Sequence, residues 1–206
     1  MPSSFVRAVS ALTFCATGAV AQEQLTQASA SFLFNGQQVT IARDAGQSPA
    51  IAQQFTSSTD SCGGSCIAPM QAAPGVTTLG ELEVMRFLSQ DVAGGQGLMV
   101  DARVPQDRAK GFIPGSVNLP FSTLDSSNAF RSDILRAIGA REFDGLFNFS
   151  DARTLLVYDS GPTSDDAHRL ISNLLDAGYP PEMLMYYRGG MQVWAALGFS
   201  IQTEGS

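Results

Sequence analysis

The run from Leu155 to Leu170, LLVYDSGPTSDDAHRL, leaves few folds open. Leu155, Leu156, Val157 and Tyr158 are apolar without alternation, the pattern of a strand covered on both faces. Asp159, Ser160, Gly161, Pro162, Thr163 and Ser164 are then small or polar, with glycine and proline as breakers. From Asp165 onward, Leu170, Ile171, Leu174 and Leu175 recur at helical spacing, and Asp165 and Asp166 suit a helix N-terminus. In a strand, tight loop and helix so arranged, the loop N–H groups and those of the first helical turn converge on the residue leaving the strand. A thiolate placed there would gain a lowered pKa and ready oxyanion donors. In this chain the residue is Asp159.

The 206 residues suffice for one domain and an appendage, and 44% hydrophobic with 15% charged residues is a globular balance. A net charge of -7, with Lys110 as the single lysine, argues against nucleic acid or an anionic membrane surface as partner. Arg7, an apolar or small run over 8–20 and Ala19-Val20-Ala21 before Gln22 predict a signal peptide over 1–21, and so a periplasmic or secreted protein. The apolar run is too short for a stable membrane span, so none is expected after cleavage. With Cys15 removed, Cys62 and Cys66 remain, and in an oxidising compartment they are expected to form a disulfide. A ring so small contributes about 2 kcal/mol. Two cysteines and one histidine, His168, make a poor zinc set; neither metal nor cofactor is expected.

Taken in order, Phe32 and Phe34, then Asn35-Gly36, then Val39 and Ile41 predict a β-hairpin with a type I′ turn. Residues 44–77 are rich in Gly, Pro, Ser and Thr. Residues 22–77 are therefore read as an extension packed on a main domain, 78–206. Thr78 and Glu81 have capping-box spacing before a helix carrying Leu79, Leu82, Met85, Phe87 and Leu88. Leu98 to Val100 is a strand ending at Asp101-Ala102-Arg103. The prolines and glycines of 111–121 predict no regular element there. Residues 128–141 read as a helix with Phe130, Ile134, Leu135 and Ile138 on one face, and 142–152 as a linker. After a helix ending near Gly178, residues 183–187 form a strand, 188–190 a turn, and 191–197 a helix containing Trp194. This alternation, with no hairpin signal after residue 78, predicts an α/β domain whose central parallel sheet carries helices on both faces. Ligands in such sheets bind beyond the carboxyl ends of the strands, which puts Asp101, Asp159 and Arg188 on one rim.

VDARVPQDRAKGFIPGSVNLPF, LLVYDSGPTSDDA and YYRGGMQVWAALGF, in that order, resemble the rhodanese-like superfamily over residues 78–202. The resemblance implies a domain whose catalytic cysteine follows the central strand, takes a sulfane sulfur as a persulfide and passes it on. That position is Asp159 here. Some exported relatives look like C-N-G-P-W-C in the loop; Gly161 and Pro162 match, while Thr163 replaces the tryptophan and Ser164 the second cysteine. Asp101 and Arg103 match the family's Asp-x-Arg, which helps hold the loop, and Phe112 replaces a common histidine. A carboxylate oxygen cannot form a persulfide, so sulfur transfer through Asp159 is not expected. The expected role is a binding or accessory module for a protein or a small neutral or cationic ligand.

Other chemistries are weaker. An aspartyl-phosphate enzyme needs a second acid where Gly161 stands, a phosphatase of this fold needs the missing cysteine, and a Ser160 triad needs an oriented histidine. Asp159, Asp165 and Asp166 as a cation site compete with the simpler service of helix-start acids to the dipole. Asp159 is expected to be ionised, accepting loop N–H bonds and plugging its own anion site, with Arg188 as a candidate ion-pair partner for it or for Asp101. Cys62 and Cys66 as a thiol–disulfide or sulfur-handling pair over the loop remain the alternative function.

Overall fold

The computed structural model describes residues 29–42, 54–55 and 70–204. The expected signal peptide and the Cys62–Cys66 pair lie outside the described residues. Strands β1 (Ser29–Phe34) and β2 (Gln37–Ala42) form the expected antiparallel hairpin, with Asn35 at φ 51° and Gly36 at φ 76° in the turn.

The central sheet comprises β3 (Thr77–Thr78), β4 (Gly97–Asp101), β5 (Ser116–Asn118), β8 (Thr154–Tyr158) and β9 (Leu184–Tyr187). All are parallel, in the order β3-β9-β8-β4-β5. The helices are α1 (Glu81–Phe87), α2 (Pro105–Arg108), α3 (Arg131–Ala137), α4 (Asp166–Asp176) and α5 (Gly190–Ala196). Because β8 is central, both of its faces are buried, which is why its sequence does not alternate. Leu156 and Tyr158 face one core with Val84, Met85, Met191 and Trp194, from α1 and α5. Leu155 and Val157 face the other with Leu135, Leu170, Ile171 and Leu174, from α3 and α4. Each fully buried side chain of this size contributes about 1.5–3 kcal/mol against its exposed state.

The hairpin packs onto the first of these cores through Ala30, Phe32 and Ile41. Further along, Trp194 donates its indole N–H to the Ser200 carbonyl at 2.7 Å and packs on Phe199. That satisfies the one polar atom of the bulkiest side chain in the core.

Several local expectations are corrected. Thr78 belongs to β3 and its hydroxyl donates to the Met70 carbonyl, so no capping box forms; Gly80 precedes α1. The helical pattern past Phe87 continues as a π-helical turn, Leu88–Val92. Within 111–121, Ser116–Asn118 pairs with β4 as the sheet edge despite the surrounding prolines and glycines. Residues 142–152 are no plain linker: β6 (Arg141–Phe143) and β7 (Leu146–Asn148) form a hairpin around Asp144 and Gly145, both at positive φ. Phe130 lies outside α3 and is exposed, while Leu135 and Ile138 are buried. Among the described residues, no helix is long and apolar enough to cross a membrane.

Candidate functional site

Parallel strands bring their carboxyl ends to one edge, so Asp101 ends β4 while Asp159 and Arg188 follow β8 and β9 on the same side. Asp159 is fully buried. Its Oδ1 accepts the Gly161 N–H at 2.9 Å and its Oδ2 accepts the Ala167 N–H, in the first turn of α4, at 3.0 Å. The Ser164 hydroxyl adds a further side-chain bond. These are the loop bonds that the sequence leads one to expect. Yet burial outweighs them and pushes the carboxyl up to about 6, so it gives up its proton near pH 6 and is ionised above that.

The loop is clamped from the opposite side by α5. Met191 and Gln192 donate their N–H groups to the carbonyls of Asp159 and Ser160, both at 3.0 Å. These first-turn donors have no partner within their own helix, so the loop carbonyls supply one. The approach is possible because residue 190 is glycine at φ 54°; a Cβ there would lie 2.5 Å from both the Asp159 carbonyl oxygen and the Gly161 nitrogen.

Asp101 is the second organising carboxylate. Its Oδ1 accepts the Arg103 N–H and Nε–H, at 3.1 and 2.8 Å. Its Oδ2 accepts Arg103 Nη2 at 2.6 Å, Arg108 Nη1 at 3.3 Å and the Tyr158 hydroxyl at 3.0 Å. The guanidinium of Arg103 also donates to the carbonyls of Asp107 and Gly111, which fixes the segment after α2. Arg108 stacks on Phe112 at 3.7 Å from the ring centroid, so an aromatic face meets the cation. Burial, with the Asp101 charge beside it, drives the Tyr158 hydroxyl well above its usual range; it is a neutral donor.

A cavity of about 170 Å³ lies over the loop, lined by Gln54, Phe55, Arg103, Asp107, Lys110, Ser160 and Gln192. Ser160, and not the buried Asp159, is the loop side chain on its wall. Gln54 and Phe55 come from the extension, and the Phe55 ring sits 5.8 Å from the Arg103 guanidinium carbon. Nothing in the sequence pattern marks Gln54, Phe55 or Gln192 as lining residues. The only cue to Gln192 is its place two residues past Gly190.

Behind the loop, on the α4 face, His168 packs edge-on against Tyr186 with centroids 4.8 Å apart. Both ring nitrogens of His168 and the Tyr186 hydroxyl are buried without a hydrogen-bond partner. Burial lowers the His168 pKa, Asp165 opposes this and Arg188 reinforces it. Burial raises the Tyr186 pKa, and the Asp159 charge adds to it. The guanidinium groups that reach Asp101 are those of Arg103 and Arg108, and the Arg188 charge is felt at His168 and Tyr186. Among the described residues, no group of three or more His, Cys, Asp or Glu side chains is placed to hold a metal ion.

In sequence, the rhodanese-like domain family matches residues 86–197. No curated protein matches the chain. Among solved structures, a thiosulfate sulfurtransferase from Pseudomonas aeruginosa is 21% identical over 66% of this chain and 22% of its own, with a TM-score of 0.45. A human single-domain sulfurtransferase is 20% identical, over 60% and 97% of the two chains, with a TM-score of 0.40. A rhodanese-like domain from Anabaena is 16% identical, over 64% and 80%, with a TM-score of 0.41.

Proposed function

The chain belongs to the rhodanese-like domain family, and from that premise we propose that it is a member that transfers no sulfur and works as an exported binding or accessory module. The observation that carries the reading is the state of Asp159. Both of its carboxylate oxygens are taken by the Gly161 and Ala167 N–H groups, and it has no solvent exposure. Sulfur transfer in this family requires a polarisable atom that can be attacked and can leave. Oxygen at this position supplies neither, and the cradle that would stabilise a bound anion is already filled by the protein's own charge.

Export and a Cys62–Cys66 disulfide belong to the same proposal, resting on the Arg7–Ala21 pattern and on the oxidising compartment it implies.

A thiosulfate-to-cyanide sulfur-transfer assay tests the reading, with Asp159→Cys run beside the unmodified protein. Turnover confined to the cysteine variant supports it. Turnover by the unmodified protein overturns it and turns attention to Cys62 and Cys66.

A further inference from the structure

Each charged side chain that lines the cavity over the loop already has a partner of opposite sign. The Arg103 guanidinium is 1% exposed and donates to Asp101 through Nε and Nη2, and to two backbone carbonyls besides. Lys110 donates its ammonium to Asp107 at 2.6 Å. An incoming anion that competed for Arg103 would have to break a buried pair and leave the Asp101 carboxylate without that partner, whereas the exposed Lys110–Asp107 pair at the rim is the weaker barrier. Any such anion would also approach the carboxylate of Asp159 beneath the loop and that of Asp166, whose pKa is raised by burial first and by the Asp165 and Asp107 charges after it. An incoming cation meets two cations in the same wall, the Arg103 guanidinium and the Lys110 ammonium, against one carboxylate, Asp107, that Lys110 already neutralises.

What the cavity offers instead is neutral. Gln54 and Gln192 bring two carboxamides, Ser160 a hydroxyl, and Phe55 an aromatic wall. The Gln192 amide nitrogen donates to Thr163 Oγ1 over a long 3.4 Å. Carboxamides donate and accept at once, so they pair reciprocally with another amide. A volume of about 170 Å³ is room for one small organic molecule.

Building on the reading of the chain as a non-transferring module, we infer that this cavity is a binding site for a small uncharged molecule bearing a carboxamide or a similar hydrogen-bonding group beside a flat apolar face. The extension is then part of the site, because Gln54 and Phe55 form one of its walls. The ligand class is the opposite of the anion that the loop's shape would otherwise suit.

Benzamide, benzoate and benzamidine test this, being alike in size and ring but neutral, negative and positive. Titrated into the full chain and followed by heteronuclear NMR, benzamide is expected to shift the signals of Ser160 and the side-chain amides of Gln54 and Gln192. Benzoate and benzamidine are expected to bind at least about tenfold more weakly. Gln54→Ala and Gln192→Ala are each expected to weaken benzamide about fivefold, the loss of one net hydrogen bond. Either ion binding as well as benzamide, no benzamide binding at these residues, or two alanine variants with unchanged affinity overturns the inference. The sulfur-transfer assay on the same sample separates the two claims. Turnover rejects the functional reading whatever benzamide does, while a silent enzyme with a failed titration rejects the ligand class alone.

Discussion

Gly190 stands so close to Asp159 that any side chain at 190 would meet the Asp159 carbonyl oxygen at 2.5 Å. The contact joins two motifs thirty residues apart in sequence, the Asp159 loop and the Arg188-Gly189-Gly190 turn. It lets Met191 and Gln192 donate to the loop carbonyls. The loop is thereby held on one side by the backbone of α5 and on the other by the Asp159 carboxylate reaching the first turn of α4. Its shape depends on packing that survives without a cysteine.

Gly190→Ala is therefore expected to destabilise the protein by at least about 2 kcal/mol. A left-handed alanine alone costs roughly 1–2 kcal/mol, and the φ of 54° with backbone atoms at 2.5 Å adds a clash that no side-chain rotation relieves. Denaturant unfolding with an unchanged slope and a lowered midpoint is the expected record. A midpoint within error of the unmodified protein would show that the loop and α5 are not locked together.

Asp101→Ala removes the acceptor of two guanidinium groups and a phenol at once. Breaking a buried ion pair from one side costs about 3–5 kcal/mol, because the remaining charges have no replacement. Arg103→Lys keeps the positive charge but loses the two-pronged geometry, so a smaller loss is expected. If Arg103→Lys were as stable as the unmodified protein, charge alone and not the fork would hold Asp101.

The sheet and its order of elements could be read from the chain because buried parallel strands and amphipathic helices write their burial directly into sequence. Leu155 to Tyr158 and the Leu170–Leu174 stripe are examples. The Asp144-Gly145 hairpin was equally legible in principle, since Asp-Gly is a strong turn signal, but its flanks Phe143 and Leu146 are exposed and break the expected alternation. At the site, Asp159 and its two N–H donors follow from local geometry, two and eight residues away along the chain. The cavity did not, because Phe55 meets Arg103 and Gln192 only through tertiary packing. The sign of the Asp159 shift also escaped, since hydrogen bonds are visible in a loop sequence while the depth of burial is not.

That shift has a measurable consequence. The carboxyl is pushed up to about 6 in the folded protein from its ordinary value of 3.8, with burial as the leading cause. Between those two values the folded state holds more protons than the unfolded one, so stability falls as pH rises through the window. At 1.36 kcal/mol per unit, the full span is about 3 kcal/mol. Asp159→Asn cannot titrate, so the stability of the unmodified protein minus that of the variant should decline by about that amount from pH 4 to pH 7. Other carboxylates cancel in the difference. A difference flat across that range, from urea unfolding at each pH, would mean that the Asp159 carboxylate is not desolvated.

His168 gives the most direct test of the polar cluster behind the loop, because it is the single histidine in the chain and its ring signals need no assignment. Burial of both nitrogens without partners favours the neutral ring, Arg188 favours it further, and the Asp165 carboxylate works against them. The net direction is downward from 6.5. The unfolded chain thus takes up the proton first as pH falls, and the contribution of the neutral ring to stability is lost as pH drops through 6.5 towards the folded value. An NMR titration of the native protein is expected to show the midpoint below 6.5, and Asp165→Asn, which removes the opposing charge, should lower it again. A midpoint at or above 6.5 would place His168 in water and dissolve the cluster with Tyr186.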